Sequence, residues 1–347
     1  MRKIHVNTSR PYDVLIERGS IKNCGKLISE ITETKRAAVI SDDIVAEIYG
    51  DTVMNSLRES GFECSLFRFP NGEASKCLST LSDIYNFLCE SSITRKDIII
   101  ALGGGVVGDI TGFAAATYLR GIEFVQIPTT LLAQIDSSVG GKTAVDLQCG
   151  KNLAGAFKQP ALVICDSDSL KTLSPDILAD GMAEAIKYGM IRDSRLFQLI
   201  ENHDLDNVHE VMDEIVYTCI DIKRDVVEHD EFDTGERMIL NFGHTIGHAI
   251  EGYHNYVNYT HGKGVAAGMC YITRRFAPEL SARLESCVKA YNLPVDSEAP
   301  MNKLIPFCSK DKKRVSDNLN YIVCPAVGKA EIRKTTVSDF GKLMEEV

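Results

Sequence analysis

Residues 97–110 have the sequence DIIIALGGGVVGDI, and the fold of the first half of the chain can be inferred outward from them. The first part of this segment is almost entirely apolar, which is typical of a parallel strand covered on both faces. Three glycines, Gly103, Gly105 and Gly108, then match the spacing G-x-G-x-x-G, and Ile110–Leu119 has helical spacing. Free N–H groups at the start of such a helix bind a pyrophosphate. The segment therefore predicts a strand–turn–helix unit that binds a dinucleotide.

The glycine turn alone leaves alternatives open. An ordinary tight β-α turn also uses glycines, and here the motif follows the fourth or fifth strand instead of the first. A spacing of about 20 residues assigns the ribose hydroxyl to Glu123, but Asp42 and Glu73 are equally placed at strand ends, so the choice among the three remains open. Gly140–Thr143 (GGKT) resembles the end of a Walker A loop, but Asp136 occupies the position of its first glycine. A P-loop is therefore excluded.

The first half of the chain alternates between predicted strands and predicted helices. The predicted strands are Arg36–Ser41, Glu63–Phe69, Asp97–Leu102, Glu123–Ile127 and Ala161–Cys165. Helical spacing of apolar residues covers Asp43–Ser60 and Ser75–Glu90. Repeated β-α units joined by short turns predict a parallel, doubly wound sheet with right-handed crossovers.

Beyond about Ser169 the pattern becomes helical. Helical spacing covers Asp176–Met190, Leu196–Glu201, Val208–Glu228, Leu240–Glu251 and Lys263–Arg275. The next strand pattern is Asn320–Cys324, near the end of the chain. We therefore expect an α/β protein with an N-terminal Rossmann-like parallel-sheet domain, residues 1–168, and a C-terminal, mainly α-helical domain, residues 169–347.

The composition is that of an ordinary globular chain. Of 347 residues, 44% are hydrophobic and 25% are charged, which excludes disorder, collagen and coiled coil. The net charge is −10, and such an acidic surface repels nucleic acid. Neither an apolar run that would cross a membrane nor a signal peptide is evident, and the eleven cysteines include no C-x-x-C pair. We therefore expect a cytoplasmic protein that binds neither nucleic acid nor membranes.

Three histidines and one glutamate form a candidate metal site. His244 and His248 lie one helical turn apart on the same face of a predicted helix, and His261 begins another helix. Glu184 and Lys187 lie three residues apart in an otherwise apolar helix, where unpaired charges are rarely tolerated. Two histidines and one glutamate are a ligand set of catalytic zinc that leaves one position open for substrate. The alternative is that these histidines cap or pack helices.

Several cations lie in or beside apolar or glycine-rich segments. They are Lys142, Lys151, Lys187, Lys223, Arg237 and the Lys312-Lys313 pair. On an acidic chain, cations near glycine loops indicate a negatively charged ligand in addition to a cofactor. Each of them alone is more often a solvated surface residue, so this prediction depends on their combination with the metal motif.

Seven segments together resemble the 3-dehydroquinate synthase family, one of the sugar-phosphate cyclases, along nearly the whole chain. They are Asn71–Lys76 (NGEASK), Gly103–Asp109 (GGGVVGD), Pro128–Lys142 (PTTLLAQIDSSVGGK), Gly150–Phe157 (GKNLAGAF), Gly181–Gly189 (GMAEAIKYG), Arg237–Glu251 (RMILNFGHTIGHAIE) and His261–Met269 (HGKGVAAGM). The resemblance implies an N-terminal NAD-binding α/β domain and a C-terminal helical domain that holds a divalent metal ion, zinc or cobalt. This agrees with the division inferred above from the sequence pattern.

The resemblance also assigns roles to residues at matching positions. The implied metal ligands are Glu184, His244 and His261. The implied cofactor contacts are Asp42, Glu73, Lys76, Gly105, Val106, Gly108, Asp109, Thr129, Thr130, Lys142, Lys151, Ser169 and Thr172. The implied substrate contacts are Asp136, Lys142, Asn152, Lys187, Lys223, Arg237, Asn241, His248 and Lys312. Glu123 is thereby displaced as the ribose ligand. Arg120 resembles an arginine that reaches the active site of the neighbouring subunit, so a homodimer is implied.

The implied activity converts the sugar phosphate 3-deoxy-D-arabino-heptulosonate 7-phosphate to 3-dehydroquinate and phosphate, a step of the shikimate route to aromatic amino acids. NAD would accept a hydride and return it within one turnover, and the metal would act as a Lewis acid. Two positions depart from the family pattern: Ile177 stands where a glutamate is usual, and Ser169 where an aromatic residue is common. Both lie near the expected cofactor end, so they bear on NAD affinity and leave the type of reaction unchanged.

Three other functions share part of this pattern. Sister cyclases that act on other sugar phosphates share the fold and the metal site, but they differ in the substrate pocket, where this chain follows the dehydroquinate pattern at Arg237, Leu240, Asn241 and His248. A metal-dependent polyol dehydrogenase would release NADH and has no need for Lys142, Asn152 and Lys223 together. A nucleotide-binding sensor without catalysis would lack at least one ligand or pocket cation, and the sequence contains all of them.

Overall fold

The structure is a computed structural model that divides into two compact units. The described residues are 1–254, 259–308 and 318–345. Unit 1 contains Met1–Leu173 and Lys223–Phe232, and unit 2 contains Ser174–Ile222 and Asp233–Val347. The predicted boundary between residues 168 and 169 falls inside a short 3-10 helix, Ser167–Thr172, that belongs to unit 1. The helix stays with unit 1 because Asp166 caps its start and the Tyr49 hydroxyl lies 3.0 Å from the Thr172 hydroxyl.

Unit 1 is built around a seven-stranded sheet. The strands of this unit are β1 Arg2–Val6, β2 Tyr12–Ile16, β3 Arg36–Asp42, β4 Glu63–Phe69, β5 Ile98–Gly103, β6 Glu123–Pro128, β7 Lys142–Leu147, β8 Gly150–Phe157 and β9 Leu162–Cys165. In the sheet the order is β1-β2-β9-β6-β5-β3-β4, with β1 and β2 antiparallel and all other neighbours parallel. β7 and β8 form a separate antiparallel hairpin. The predicted α/β class with a parallel-sheet core is therefore confirmed.

Helices cover both faces of this sheet. They are α1 Cys24–Ser29, α2 Asp43–Val45, α3 Asp51–Glu59, α4 Leu78–Glu90 and α5 Gly105–Thr117. Side chains of β5 alternate between two cores: Ile98 and Ile100 pack with residues of α1 and α3, whereas Ile99 packs with residues of α4 and α5. A strand with both faces buried needs an apolar side chain at every position, which explains the continuous run in the sequence.

Unit 2 is mainly helical, as predicted. Its helices are α6 Pro175–Ile191, α7 Ser194–Glu201, α8 Met212–His229, α9 His244–Tyr253, α10 His261–Phe276, α11 Pro278–Ala290, α12 Met301–Cys308 and α13 Val337–Met344. An antiparallel hairpin of β10, Asn318–Ala326, and β11, Lys329–Thr336, completes the unit. None of the helices within the described residues combines the length and apolarity needed to span a membrane.

The end of α8 belongs to unit 1. Glu228 Oε1 accepts a hydrogen bond from the amide of Asn7 at 2.6 Å. Just after the helix, Glu231 Oε2 accepts another from the amide of Ser9 at 2.8 Å. These bonds to the loop between β1 and β2 explain why Lys223–Phe232 is grouped with the sheet.

Glycines place the backbones of α9 and α10 in direct contact. A Cβ atom added to Gly268 of α10 would lie 2.0 Å from the carbonyl oxygen of Gly243, which precedes α9. One added to Gly247 of α9 would lie 2.9 Å from the carbonyl oxygen of Gly264 in α10. Side chains at the contact set the distance between packed helices, which is about 8–10 Å in most cases. Helices that meet through glycine therefore approach unusually closely.

The start of α10 is held against α6 in the same way. A Cβ atom added to Gly262 would lie 2.2 Å from the carbonyl oxygen of Asp180 in α6. The carboxylate of Asp180 also accepts a hydrogen bond from the amide of Gly262 at 2.7 Å. A carboxylate at a helix N-terminus satisfies free N–H groups and complements the helix dipole. The position of the first turn of α10 relative to α6 is therefore tightly defined.

We predict that Gly268→Ala lowers the free energy of unfolding by about 3 kcal/mol or more, because the new methyl group overlaps a backbone carbonyl that cannot rotate away. Urea unfolding followed by circular dichroism measures the change. Gly50→Ala is the matched control, since its Cβ would lie 3.4 Å from Leu66 Cδ2 and Gly50 has φ −55°. The control should change stability by no more than about 1 kcal/mol. Equal stability of the two variants would contradict the prediction.

Candidate active site

The predicted nucleotide site of unit 1 lies at the carboxyl ends of three neighbouring parallel strands. β3 ends at Asp42, β5 at Gly103 and β6 at Pro128, and β5 pairs with both of the others. The amide of Thr129 donates a hydrogen bond to the carbonyl of Gly103 at 3.0 Å, which joins the two turns. The carboxylate of Asp42 accepts from the amide of Val45 at 2.9 Å and so caps α2. Open α/β sheets bind ligands at such carboxyl ends.

Two glycines of the motif are required by packing. A Cβ atom added to Gly103 would lie 2.5 Å from Val107 Cγ2, within the tight turn itself. One added to Gly108 would lie 2.7 Å from Gln126 Oε1 on β6. The third glycine of a dinucleotide-binding motif has this role, close packing of the helix on the sheet.

The start of α5 offers backbone donors for an anion. α5 begins at Gly105, and Gly105 and Val106 are half-exposed. Nearby, the hydroxyl of Thr130 accepts a hydrogen bond from the amide of Ala133 at 3.2 Å. The buried hydroxyl of Thr129 makes no hydrogen bond within the described residues. Since leaving a buried polar atom unsatisfied is costly, the Thr129 hydroxyl fits a ligand contact.

Charged residues of the predicted cofactor site form a network that includes α5. The buried ammonium of Lys76 lies 2.5 Å from Asp109 Oδ2. Lys151 Nζ lies 3.4 Å from Glu73 Oε1, and both of these side chains are exposed. Burial lowers the pKa of Lys76, but the charges of Asp109, Glu73 and Asp146 outweigh burial and raise it. Lys76 therefore keeps its positive charge at neutral pH.

The β7–β8 hairpin is an element that the predicted strands do not include. It carries Lys142, Lys151 and Asn152, which are all exposed. Asn152 has a left-handed backbone with φ 56°, and its amide donates to Asp146 Oδ1 at 2.8 Å. β8 contains Gly, Lys, Asn and Ala, which are depleted in strands, so its sequence carries a weak strand signal.

Two predicted substrate contacts of unit 1, Asp136 and Lys223, touch each other. The ammonium of Lys223 lies 2.7 Å from Asp136 Oδ1 and 2.5 Å from the carbonyl oxygen of Asp136. Lys223 is buried. Since a buried ammonium needs a counter-charge, the carboxylate of Asp136 fixes where this cation lies.

Ser169 and Thr172, two predicted cofactor contacts, use their hydroxyls within unit 1. The buried hydroxyl of Ser169 donates to the carbonyl of Asp166 at 2.7 Å and accepts from Gln134 Nε2 at 3.2 Å. The hydroxyl of Thr172 donates to the carbonyl of Ser169 at 2.8 Å. The serine thus ties its helix to Gln134.

Ile177, one of the two positions noted above as departing from the family pattern, lies in the first turn of α6. The Ser174 hydroxyl caps this helix by accepting from the amide of Ile177 at 3.4 Å. A glutamate at the third helical position would complete a capping box by reaching back to the backbone of Ser174. Ile177 cannot do this, and 48% of it is exposed. Its effect on NAD affinity stays a prediction.

In unit 2 the three side chains predicted to bind metal converge. Nε2 of His261 lies 3.2 Å, and Nε2 of His244 lies 3.6 Å, from Oε1 of the buried Glu184. All three ligand atoms lie within 4.8 Å of one another. Ligands at about 2.1 Å from a tetrahedral zinc ion lie about 3.4 Å apart, so this donor set fits a divalent ion. Glu184 belongs to α6, and His244 and His261 are the first residues of α9 and α10.

The two histidines differ in their pKa. Burial lowers the pKa of His244 well below its usual 6.5, so its imidazole is neutral at pH 7. Burial opposes protonation of His261 too, but hydrogen bonds with Glu184 and Glu251 outweigh burial and raise its pKa to about 10. A proton on His261 thus balances buried negative charge, and a divalent cation would replace that proton.

Lys187 lies one helical turn after Glu184, and its ammonium contacts Oε2 of that carboxylate. Both side chains are buried, so each compensates the charge of the other. This pairing uses the carboxylate oxygen that faces away from the histidines. Oε1 of Glu184 is thereby left facing the imidazole nitrogens.

The other predicted substrate contacts of unit 2 differ in exposure. His248 is exposed, and the centre of its ring lies 5.3 Å from that of His244 and 5.9 Å from that of His261. Arg237 is buried and Asn241 is exposed, both on the 3-10 helix that precedes α9. Lys312 lies outside the described residues. His248 is therefore exposed beside two of the predicted metal ligands.

Glu251 is a buried residue of this site that the sequence motifs did not single out. It lies on α9, three residues after His248, and its Oε1 is 3.1 Å from Nδ1 of His261. The available signal was a charged residue in an apolar turn, the same reasoning that singled out Glu184.

Two solved structures have the same fold as this chain. The first is 2-deoxy-scyllo-inosose synthase complexed with carbaglucose-6-phosphate, NAD+ and Co2+, with a TM-score of 0.88, 24% identity, and coverage of 99% of this chain and 100% of that chain. The second is 2-epi-5-epi-valiolone synthase from Streptomyces hygroscopicus with NAD+ and Zn2+ bound, with a TM-score of 0.87, 22% identity, and coverage of 96% and 95%. At this identity the likeness shows the fold alone.

Sequence comparison identifies the family. The 3-dehydroquinate synthase of Clostridium kluyveri is 43% identical over 100% of this chain and 99% of its own length. That of Clostridium acetobutylicum is 45% identical over 97% of each. Two family models, "3-dehydroquinate synthase N-terminal" and "3-dehydroquinate synthase C-terminal", match residues 66–180 and 181–314. The resemblance found in the sequence is therefore confirmed, and the chain belongs to the 3-dehydroquinate synthase family.

Proposed function

We propose that the chain is an NAD- and metal-dependent carbon–oxygen lyase that converts 3-deoxy-D-arabino-heptulosonate 7-phosphate to 3-dehydroquinate and phosphate. The observation that carries the proposal is the convergence of Glu184, His244 and His261 in a chain of this family. Relatives that carry this activity in their names match nearly the full length of the chain. A cytoplasmic location stays a prediction from the sequence.

The metal-binding residues are Glu184, His244 and His261. One carboxylate and two imidazoles suit both Zn2+ and Co2+. When bound there, a divalent ion supplies a Lewis acid that polarises a substrate oxygen. The protein holds the ligand atoms in place before the ion binds: Lys187 holds the Glu184 carboxylate, and the carbonyl of Phe242 lies 3.2 Å from Nδ1 of His244.

The cofactor-binding residues lie along the carboxyl edge of the sheet in unit 1. The free N–H groups of Gly105 and Val106 at the start of α5 would bind the pyrophosphate. Bound NAD supplies a hydride acceptor that is restored within each turnover, so it is not consumed. Thr129 offers its buried hydroxyl, and Lys76 offers a cation held in place by Asp109.

Buried cations suit the anionic groups of the substrate. Lys187 and Arg237 of unit 2 and Lys223 of unit 1 are all buried. Glu184 orients the ammonium of Lys187, and Asp136 orients that of Lys223. Cations that are oriented before substrate binds stabilise phosphate and carboxylate charge without further reorganisation.

Phosphate release without net NADH formation tests the function. The purified protein is incubated with the heptulosonate phosphate, NAD+ and Co2+ or Zn2+, and both phosphate and NADH absorbance are followed. We expect one phosphate per substrate consumed and no accumulation of NADH, because the hydride returns to the substrate. Accumulating NADH would instead indicate a polyol dehydrogenase. Identification of the carbocyclic product by NMR distinguishes the sister cyclases.

We predict that His261→Ala loses the metal and nearly all turnover, because it removes one of three protein ligands. Metal affinity should fall by more than about 100-fold, since loss of an outer partner alone costs 10–100-fold. Metal content per chain is measured by elemental analysis alongside turnover. His229→Ala, which removes an exposed histidine at the end of α8, is the control and should retain both. A metal-free His261→Ala protein with full activity would refute the role.

We also propose a homodimer in which Arg120 reaches the active site of the partner subunit. Leu119 and Arg120 have consecutive left-handed backbones, with φ 50° and 68°, a strained conformation that is typical of functional positions. Arg120 lines a cavity of about 360 Å³ together with Phe157 and Phe232. These two aromatic rings are exposed and lie 5.3 Å apart, and exposed aromatic patches mark partner surfaces.

Mixed dimers test this arrangement. Arg120→Ala and His261→Ala should each be nearly inactive alone, because one lacks the arginine and the other lacks the metal. Unfolding and refolding the two together forms dimers in which one site is complete, so about a quarter of wild-type activity should return. Each variant refolded alone is the control. Without recovery in the mixture, Arg120 does not act across the subunit boundary.

A further inference from the structure

His261 lies between two buried carboxylates, one at each ring nitrogen. Its Nε2 lies 3.2 Å from Oε1 of Glu184, and its Nδ1 lies 3.1 Å from Oε1 of Glu251. Both carboxylates are buried, with 0% and 5% of the residue exposed. Burying a carboxylate is costly unless it serves a partner. Glu184 is a ligand of the proposed metal site, and the role of Glu251 is still to be explained.

The two nitrogens of His261 cannot act alike once the histidine binds a metal. A neutral imidazole carries one hydrogen, so one nitrogen donates and the other offers a lone pair. A hydrogen on Nδ1 donates to Glu251 and leaves the lone pair on Nε2, the atom that faces Glu184 and His244. We propose that Glu251 is a positioning residue that fixes this tautomer and the ring orientation of His261 for metal binding. The inference rests on the proposed metal site.

His244 shows the same arrangement with a backbone partner. Its Nδ1 lies 3.2 Å from the carbonyl oxygen of Phe242, and its Nε2 faces Glu184. Histidine ligands of metals usually donate their second N–H to a carbonyl or a carboxylate. Both ligand histidines therefore have a second partner, and the one that serves His261 is a side chain that can be replaced.

The glycine contact between α9 and α10 makes room for Glu251 in this position. A Cβ atom added to Gly264 would lie 3.2 Å from Cγ and 3.3 Å from Oε1 of Glu251. The carboxylate thus packs over a residue without a side chain, one turn after His261 on α10. The absence of a side chain at Gly264 thus leaves room for the carboxylate beside the first turn of α10, where it meets the imidazole.

The competing assignment makes Glu251 a metal ligand itself. Ligand atoms of His248, Glu251 and His261 also lie within 4.8 Å of one another. That cluster would take Nδ1 of His261, whereas the first cluster takes Nε2. If both clusters bind, the chain holds two ions, and if only the second binds, Glu251→Leu loses the single ion instead of holding it about 10–100-fold more weakly.

Metal titration of Glu251 variants tests the proposal. The full-length protein is stripped of metal with a chelator and titrated with Co2+, whose visible absorption reports ligand geometry. We expect Glu251→Leu to weaken Co2+ binding about 10–100-fold and to alter the spectrum, because the outer partner of a ligand is lost. Glu251→Gln keeps an acceptor oxygen and should bind several-fold weaker than wild type with a nearly unchanged spectrum.

Glu285→Gln is the matched control. Glu285 is a half-buried carboxylate of unit 2 whose Oε1 lies 2.6 Å from Arg274 Nε, so it has a structural role. Its variant should unfold at a lower temperature and bind Co2+ like wild type. This separates a loss of stability from a loss of metal binding.

Three results would overturn the proposal. Wild-type affinity and spectrum in Glu251→Leu would exclude a positioning role, and if that variant does not fold, wild-type affinity in Glu251→Gln would do so. Two ions per wild-type chain, with one lost in Glu251→Leu, would make Glu251 a ligand. A wild-type protein that binds no Co2+ would refute the metal site itself, a failure distinct from the first two because it needs no variant.

Discussion

Backbone contact between helices at glycine is the constraint on which the metal cluster depends. His244 and His261 are the first residues of α9 and α10, so their positions follow from where these helices begin. α10 meets α9 at Gly268 and α6 at Gly262, in each case against a main-chain carbonyl. A carbonyl within a helix cannot rotate to admit a methyl group. Main-chain packing therefore determines where the residues of the cluster lie, and their side chains complete its geometry.

The same arrangement makes the surroundings of Glu184 favourable for negative charge. Its carboxylate faces the first residues of two helices, whose N-terminal ends carry a partial positive charge. In unit 1 the start of α5 at Gly105, at the carboxyl edge of the sheet, likewise carries a partial positive charge. Although the chain has a net charge of −10, helix starts provide local positive potential in each unit. The net charge of the chain therefore does not determine the local electrostatic potential at the helix starts.

The parts of the fold that could be predicted from sequence are those with local periodicity. β5 was predicted because both of its faces are buried, and α6 to α10 because their apolar residues recur at helical spacing, whereas α11, α12 and α13 were not predicted. β1 (RKIHV) and the glycine-containing β8 were not predicted. β1 is an edge strand and β8 consists mainly of weak strand formers, so neither has a continuous apolar run. Their strand conformation depends on pairing with a neighbouring strand, β2 for β1 and β7 for β8.

The candidate site, too, could be predicted only in part from local sequence patterns. Motifs identified His244 and His248 together, because residues four apart share a helix face, but spacing could not choose between them. The choice depends on which of them faces Glu184, and that follows from how α9 crosses α6 and α10. Glu251 was missed for the same reason: its partner lies on another helix, and no local pattern in the sequence records that contact.

The charges around the cluster explain why a lysine is buried beside Glu184, a proposed metal ligand. Glu184 and Glu251 bring two negative charges, and Lys187 compensates one of them. The raised pKa of His261 shows that the remaining charge attracts a proton. When a divalent ion replaces that proton, the ion brings one positive charge more than the carboxylates need. In the proposed site this added positive charge would lie beside the exposed His248 and would favour an anionic group of the substrate. Lys187 therefore has an electrostatic role besides its pairing with Glu184. Without its positive charge, the charge of the ion would only neutralise the carboxylates of Glu184 and Glu251.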